Sequence, residues 1–140
     1  MAGPVIARAG TALRTDIEAA NHRLVIDEPP GAGGTDAGPT PYDFLSAALG
    51  GCTSMTMRVV ANREKIPLEG VEITVTSDRQ YAKDCSDCAS TTGYIHRFDV
   101  RIKLTGDLND AQRERLLAVA KRCPVAKTLT SEIRIEESLV

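Results

Sequence analysis

Residues 40–65 read TPYDFLSAALGGCTSMTMRVVANREK and form the longest helical pattern in the chain. Thr40 suits the N-cap, Pro41 suits the first helical position, and Asp43 can complete a capping box with Thr40. Pro67 cannot continue a helix, so it marks the end of the pattern. We therefore predict one long helix that runs to about residue 65.

A cysteine stands inside this helix, directly after two glycines. Gly50 and Gly51 each cost about 1 kcal/mol relative to alanine in a helix interior, so they predict either a close approach by another helix or a kink. Cys52 follows them, and its helical stripe predicts that its side chain faces inward. The other members of that stripe are Leu45, Leu49 and Thr56.

A second cysteine opens a short helical pattern near the C-terminus. Cys123 precedes Pro124, where one helical pattern ends and another can begin. Unpaired backbone N–H groups and the helix dipole favour a thiolate at such a position. If this turn packs against the stripe of Cys52, the two sulfurs can form a reversible disulfide. That arrangement is typical of a thiol-based peroxidase.

The rest of the chain alternates strands and helices, which predicts one α+β domain over residues 1–140. Asn109 and Gln112 predict a capped helix, and residues 28–41 form a long loop with Pro29, Pro30, Pro39 and four glycines ahead of Pro41. The predicted strands cover residues 5–7, 12–18, 22–27, 71–76, 95–104 and 132–136.

Composition excludes several classes of function. The net charge is −2 over 140 residues and only 4% of residues are aromatic, which argues against a nucleic-acid partner. No uninterrupted apolar run approaches the roughly 20 residues that span a bilayer, so we expect no membrane partner. The N-terminus shows no secretory signal, and we expect a cytoplasmic protein. In that compartment the four cysteines are more typical of redox or metal chemistry than of structural disulfides.

Cys85 and Cys88 have the spacing of a redox pair or of half a zinc site. They lie in a polar connection between two predicted strands, unlike a thioredoxin-type motif. A spare or labile pair, a metal site and a redox relay all remain open. The further ligands available for a metal are Asp84, Asp87, His22 and His96.

Two longer motifs carry a resemblance to a known family. Residues 38–52 (GPTPYDFLSAALGGC) and residues 116–125 (LLAVAKRCPV) resemble the two cysteine motifs of the OsmC/Ohr family, the osmotically inducible and organic hydroperoxide resistance proteins. Residues 27–29 (DEP) and 104–108 (LTGDL) also fit this family. The resemblance covers nearly the whole chain.

The resemblance implies an α+β intertwined homodimer with antiparallel sheets around two long central helices and an active site where the subunits meet. It also implies that Cys52 reduces organic hydroperoxides and that Cys123 resolves the resulting sulfenic acid as a disulfide. Such chemistry needs neither metal nor flavin, and a cellular dithiol such as a lipoyl group would restore the thiols.

One position departs from the family pattern. Tyr42 stands where the family has a catalytic Glu, and the nearest acid is Asp43. Nine residues of helix separate Asp43 from Cys52 by about 13.5 Å and half a rotation. Asp43 can therefore act only through a partner subunit, or it serves as a helix cap.

The remaining site residues follow from the same resemblance. Arg14 or Arg23 would lower the pKa of Cys52, and His22 can add polarity. We expect a substrate pocket with walls from Tyr42, Leu45, Leu49 and Met55. The missing Glu leaves an alternative, a non-catalytic or differently specialised relative that binds a small apolar ligand at the dimer interface.

Overall fold

The computed structural model describes residues 3–140, which divide into two compact units. The first unit ends at Leu45 and the second runs over Ser46–Val140. Within the described residues the order of strands and α-helices is β1, β2, β3, α1, β4, β5, α2 and α3. This mixed α and β content, with antiparallel strand pairing throughout the described sheets, confirms the predicted α+β class.

The first unit contains a three-stranded antiparallel sheet in the order β1-β2-β3. Its strands are β1 (Val5–Ala9), β2 (Thr15–Ala19) and β3 (His22–Ile26). They confirm the three predicted strands, although β2 begins three residues later than expected. Ile17 on β2 lies opposite Leu24 and is buried.

The long loop after β3 closes around a buried carboxylate. Asp27 is 1% exposed and accepts hydrogen bonds from the backbone N–H groups of Glu28, Thr35 and Ala37 and from the Thr35 hydroxyl. These hydrogen bonds, led by the one from Ala37, outweigh the effect of burial and lower the pKa of Asp27 to about 2. Asp27 therefore organises a loop whose sequence is rich in glycine and proline.

Helix α1 spans Pro41–Glu64 and begins with the predicted capping box. The Asp43 backbone N–H donates to Thr40 Oγ1 at 3.2 Å, and the Thr40 N–H donates to Asp43 Oδ2 at 2.9 Å. The Thr40 N–H and the Thr40 hydroxyl both donate to the Asp43 carboxylate, and these two hydrogen bonds lower the pKa of Asp43. Asp43 is thus a cap residue in this chain.

Among the described helices, α1 alone is long and apolar enough to span a membrane, with a mean hydropathy of 1.2. The core helix of a soluble protein meets the same criterion. Polar residues such as Thr53 and Arg58 interrupt its apolar sequence.

The inward stripe of α1 differs from the prediction. Its buried residues are Leu49, Thr53, Met57 and Ala61. Only Leu49 belongs to the expected stripe, because steps of four residues follow the buried face of this helix. Cys52 lies beside that face and is half-buried, whereas Leu45 is exposed.

The second unit pairs β4 (Gly70–Tyr81) with β5 (Tyr94–Thr105) over their full lengths. Gly50 permits α1 to approach this hairpin, because a Cβ there would lie 3.3 Å from Val75 Cγ2. The close approach at Gly50 is therefore to a strand and not to another helix as predicted, while a Cβ at Gly51 would meet no described atom of another element within 4 Å. Apolar pairs directly opposite each other are Val71 with Leu104, Ile73 with Ile102, and Val75 with Val100.

Two further helices complete this unit, α2 (Asp110–Ala120) and α3 (Pro124–Leu129). Asn109 and Gln112 form the predicted capping box at the start of α2. The core combines residues of α1 and α2 with Leu68, and its members are Met57, Ala61, Leu68, Leu116 and Ala120.

The strand predicted over residues 132–136 is wrong. The described residues after α3 form no helix or strand, and Ile133 and Ile135 are 53% and 79% exposed. Alternating apolar residues form a strand only when a neighbouring strand accepts their backbone hydrogen bonds. In the described chain β4 and β5 pair only with each other, so no strand edge receives this segment.

Candidate active site

The second unit brings the two motif cysteines together. Cys52 is half-buried on α1, and Cys123 is fully buried as the N-cap of α3. Both are free thiols, and their side chains hydrogen-bond to each other. The packing of the Cys123 turn against α1, expected from the sequence, thus occurs.

Hydrogen bonds around the pair favour one negative charge on the buried sulfur. Burial opposes ionisation of Cys123, but hydrogen bonds from Cys52, from the Ala126 and Val125 N–H groups and from Thr53 lower its pKa overall. Burial and the neighbouring Cys123 raise the pKa of Cys52, against smaller opposing effects of Val125 and Thr56. Of the two thiols, Cys123 therefore has the lower pKa and Cys52 the higher.

Cys52 opens onto a cleft of about 440 Å³ between α1, α2 and α3. Met55 and Val59 contribute apolar walls from α1, and Val119 and Pro124 contribute walls from the other side. Cys123 is absent from the cleft lining, as its complete burial requires. A small molecule in this cleft contacts Cys52 and not Cys123.

Four cationic side chains also line the cleft: Arg63, Arg115, Arg122 and Lys127. Arg115 donates to both carboxylate oxygens of Glu64, with its shortest contact at 2.6 Å. This ion pair lowers the pKa of Glu64 and raises that of Arg115. Within residues 3–140 neither Arg122 nor Lys127 forms an ion pair, so the cleft carries a net positive charge next to Cys52.

The predicted pocket residues take different positions. Met55 lines the cleft with Cys52, as expected. Leu49 is 5% exposed and does not line the cleft. Tyr42 and Leu45 belong to the first unit, where they are 51% and 42% exposed.

The predicted activating cations lie in the first unit. Arg14 precedes β2 and pairs with Asp16 at 3.1 Å, and both side chains are more than half exposed. Arg23 lies on β3 opposite Glu18, and His22 is the first residue of the same strand.

Sequence reasoning missed three residues near the cysteines. Thr53 is 3% exposed, donates to the Leu49 carbonyl at 2.8 Å and reaches Cys123. Arg122 directly precedes Cys123, and Lys127 follows it by four residues. This closeness in sequence to the second cysteine motif is the feature that could have identified both residues. Thr53 could have been identified in the same way, because it directly follows Cys52 in the sequence.

The second cysteine pair is a disulfide in this structure. Cys85 and Cys88 are bonded to each other in the connection between β4 and β5, with their Cα atoms 5.5 Å apart. Their sulfurs form a cluster with the carboxylate of Asp87. Of the other ligands that the sequence offers, Asp84, His22 and His96 lie outside that cluster.

Comparison with known proteins agrees with the fold and with the cysteine motifs. A family model described as OsmC-like protein matches residues 33–138, which include parts of both units. No curated protein sequence matches the chain.

Several solved structures are similar. An organic hydroperoxide resistance protein OsmC from Legionella pneumophila is 26% identical, with a TM-score of 0.65, over 91% of this chain and 90% of that one. An OsmC-like protein from Mycoplasma pneumoniae has a TM-score of 0.72 at 18% identity, over 90% and 85%. An organic hydroperoxide resistance protein from Elizabethkingia anophelis has a TM-score of 0.67 at 16% identity, over 90% and 86%. The chain belongs to the OsmC-like protein family.

Proposed function

We propose that the chain is a cysteine-based peroxidase that reduces organic hydroperoxides, with Cys52 as the attacking sulfur and Cys123 as the resolving sulfur. The observation that supports this most is the arrangement of the two thiols. Cys52 lines the cleft, and its thiol hydrogen-bonds to a sulfur that the cleft does not reach. A peroxide therefore meets Cys52 first, and its oxidised product lies beside Cys123.

The paired thiols provide a route to the reactive thiolate. As Cys52 attacks the terminal peroxide oxygen, its proton passes along the hydrogen bond to the Cys123 thiolate. The O–O bond breaks, Cys52 becomes a sulfenic acid, and the alkoxide takes the proton from Cys123 to leave as an alcohol, which restores the Cys123 thiolate. Cys123 thus acts as the base in the first step.

The same neighbour then completes the cycle. The Cys123 thiolate attacks the Cys52 sulfenic acid, forms the disulfide and expels hydroxide, which is protonated to water. An external dithiol, for which we propose a cytoplasmic lipoyl group, reduces this disulfide and is itself oxidised to a disulfide. Neither step requires a metal or a flavin.

Charges around the cleft support the anionic steps. Arg122 and Lys127 make the cleft electropositive, which favours the departing alkoxide. We further propose, from the family resemblance, that Arg14 or Arg23 faces the Cys52 site in the assembled protein. Asp43 serves the cap in this chain, so we assign it no proton transfer.

We propose that the active form is a homodimer in which α1 of each copy occupies the centre. One face of α1 supports this proposal, because Met55 and Val59 are 71% and 54% exposed and a Cβ at Gly51 meets no described atom within 4 Å. Ala48 extends this exposed face by one turn. A second α1 would cover apolar surface there and enclose the cleft.

The apolar cleft also favours a second candidate function, binding of a small apolar ligand without turnover. Its walls of Met55, Val59 and Val119 would bind such a ligand. Tyr42 in place of the family Glu is the sequence feature that supports this alternative.

Peroxide consumption distinguishes the two candidates. The parent chain should reduce cumene hydroperoxide faster than hydrogen peroxide, because its apolar walls favour a bulky substrate, and a dithiol should support turnover better than a monothiol. Cys52→Ser should abolish turnover. Cys123→Ser should consume about one peroxide per site and then stop, because no resolving thiol remains.

Mass spectrometry after one equivalent of cumene hydroperoxide should identify a Cys52–Cys123 disulfide. A matched double substitution, Cys85→Ser with Cys88→Ser, should keep turnover within a few-fold of the parent. A bridge from Cys52 to Cys85 or Cys88, or an unoxidised Cys52, would contradict the assignment. Light scattering at micromolar concentration tests the dimer, and a monomer there would remove the shared site.

A further inference from the structure

Three potential metal ligands meet in the connection between β4 and β5, in the second unit but outside the Cys52 cleft. The ligand atoms of Cys85, Asp87 and Cys88 all lie within 4.8 Å of one another. Cys85 Sγ lies 3.3 Å from Asp87 Oδ1. Both cysteines are half-buried and Asp87 is exposed, so solvent and small molecules reach this cluster.

The ends of the two strands hold this connection in place. Tyr81 and Tyr94 lie opposite each other in the sheet, and their rings stack with centroids 4.7 Å apart. The Arg79 guanidinium lies 4.6 Å from the centre of the Tyr94 ring. Beyond the stack, the Ala82 N–H donates to the Gly93 carbonyl at 2.8 Å and closes the connection. The cluster is thus attached to an ordered base.

The turn itself brings the two sulfurs together. The Cys85 N–H donates to the Ala82 carbonyl at 3.1 Å, which begins a tight turn. The Cα atoms of Cys85 and Cys88 are 5.5 Å apart, and two residues separate the cysteines. Two cysteines at this spacing can chelate one metal ion from a single turn.

The donor set selects the kind of metal. Two thiolates and one carboxylate suit a borderline-soft divalent ion and disfavour calcium and magnesium, which prefer oxygen ligands. Three protein ligands leave the fourth tetrahedral position of a zinc ion for water. The two thiolates are essential to this set, and the structure shows them joined as a disulfide.

We propose that the reduced Cys85–Asp87–Cys88 cluster is a redox-controlled zinc site. In the dithiolate state the two sulfurs and the Asp87 carboxylate bind one Zn²⁺. The disulfide state has no thiolate to offer and therefore holds no zinc. Metal binding and disulfide formation compete for the same two sulfurs.

An organic hydroperoxide can drive the change between the two states. One thiolate attacks the O–O bond and becomes a sulfenic acid while the alkoxide is protonated to an alcohol. The second thiolate displaces hydroxide, which is protonated to water, and the disulfide forms. Overall the zinc dithiolate, one hydroperoxide and two protons give the disulfide, one alcohol, one water and free Zn²⁺. An external dithiol reverses the oxidation.

Zinc stoichiometry tests the proposal without reference to peroxide turnover. The parent chain is reduced with a phosphine, freed of reductant without oxygen, loaded with zinc sulfate and desalted, and zinc is measured by mass spectrometry. We expect the parent to hold about one more zinc per chain than the Cys85→Ser, Cys88→Ser variant. This difference isolates the cluster even if zinc also binds at Cys52 and Cys123.

Competition with a chromophoric chelator then tests the carboxylate. Asp87→Asn should weaken zinc binding at least about tenfold. Asp84→Asn is the matched control, because Asp84 is close in sequence but outside the cluster, and it should change the affinity less than about twofold. Circular dichroism verifies that every variant is folded.

Oxidation completes the experiment. In a Cys52→Ser variant, whose cleft can no longer consume the oxidant at Cys52, one equivalent of cumene hydroperoxide should release the zinc as the Cys85–Cys88 disulfide appears in peptide mapping. Equal zinc in the parent and in the double variant would overturn the proposal. Zinc retained above the level of the double variant by a protein that contains this disulfide, or a larger loss with Asp84→Asn than with Asp87→Asn, would overturn it as well.

Discussion

Thr53 and Thr56 offer a test of how the two thiols are controlled. The Thr53 hydroxyl donates to the Leu49 carbonyl at 2.8 Å and also reaches the sulfur of Cys123. The Thr56 hydroxyl donates to the Cys52 carbonyl at 2.8 Å and reaches the sulfur of Cys52. Each threonine therefore acts on a different member of the pair.

Thr53→Val removes a hydroxyl and keeps the shape of the side chain. The hydroxyl lowers the pKa of Cys123, so its loss should raise that pKa. A hydrogen bond contributes about 0.5–1.5 kcal/mol, so the ionisation constant of Cys123 should fall about twofold to tenfold. Hydrogen bonds to charged groups usually contribute more than this. We use the smaller range because the single hydroxyl hydrogen of Thr53 is shared with the Leu49 carbonyl.

The measurement is a pH titration of both cysteines by ¹³Cβ NMR in the reduced protein. Thr53→Val should shift the titration of Cys123, whereas Thr56→Val should mainly shift that of Cys52. The reasoning fails if Thr53→Val leaves the titration of Cys123 unchanged in a fully folded protein. An equal shift of Cys123 with Thr56→Val would also refute it.

Three further predictions concern stability. Leu116 is fully buried, so Leu116→Ala should lower the free energy of unfolding in urea by about 3 kcal/mol. Leu117 is half-exposed, so Leu117→Ala should lower it by less than about 1 kcal/mol, and similar costs for the two variants would contradict the described core. Asn109→Ala should lose the α2 cap and about 1 kcal/mol, and an unchanged urea midpoint would count against the capping box. The pKa of Asp27 is lowered on folding from 3.8 to about 2, so its contribution to the free energy of unfolding is complete above pH 3.8 and is lost as pH falls through about 2. Asp27→Asn should therefore be less stable than the parent at neutral pH, and the difference between their thermal midpoints should vanish near pH 2.

Local sequence signals predicted the elements that depend on short-range chemistry. The capping boxes at Thr40 and Asn109 marked two helix starts, because the donors and acceptors involved lie three residues apart. Alternation over residues 95–104 predicted β5, whose apolar residues do pair with those of β4. The two cysteine motifs also indicated the family, because each motif is a short run of consecutive residues.

Signals that depend on distant partners were less reliable. The alternation of Ile133 and Ile135 matched a strand, but a strand needs a neighbour for its backbone hydrogen bonds, and the described chain supplies none. The inward stripe of α1 was shifted for a similar reason. Its buried face is set by β4, α2 and the Cys123 turn, and the helical period alone does not choose among neighbouring faces.

By itself the sequence determined the α+β class, the long helix that carries Cys52 and the two cysteine motifs, because caps, alternation and motif spacing are local properties of a chain. Only the tertiary structure decided that Cys123 is buried and Cys52 faces the cleft, and that Arg122 and Lys127 line the same cleft. The physical reason is that burial and hydrogen bonding between two sulfurs 71 positions apart depend on how α1, α2 and α3 pack, and this packing sets which thiol has the lower pKa.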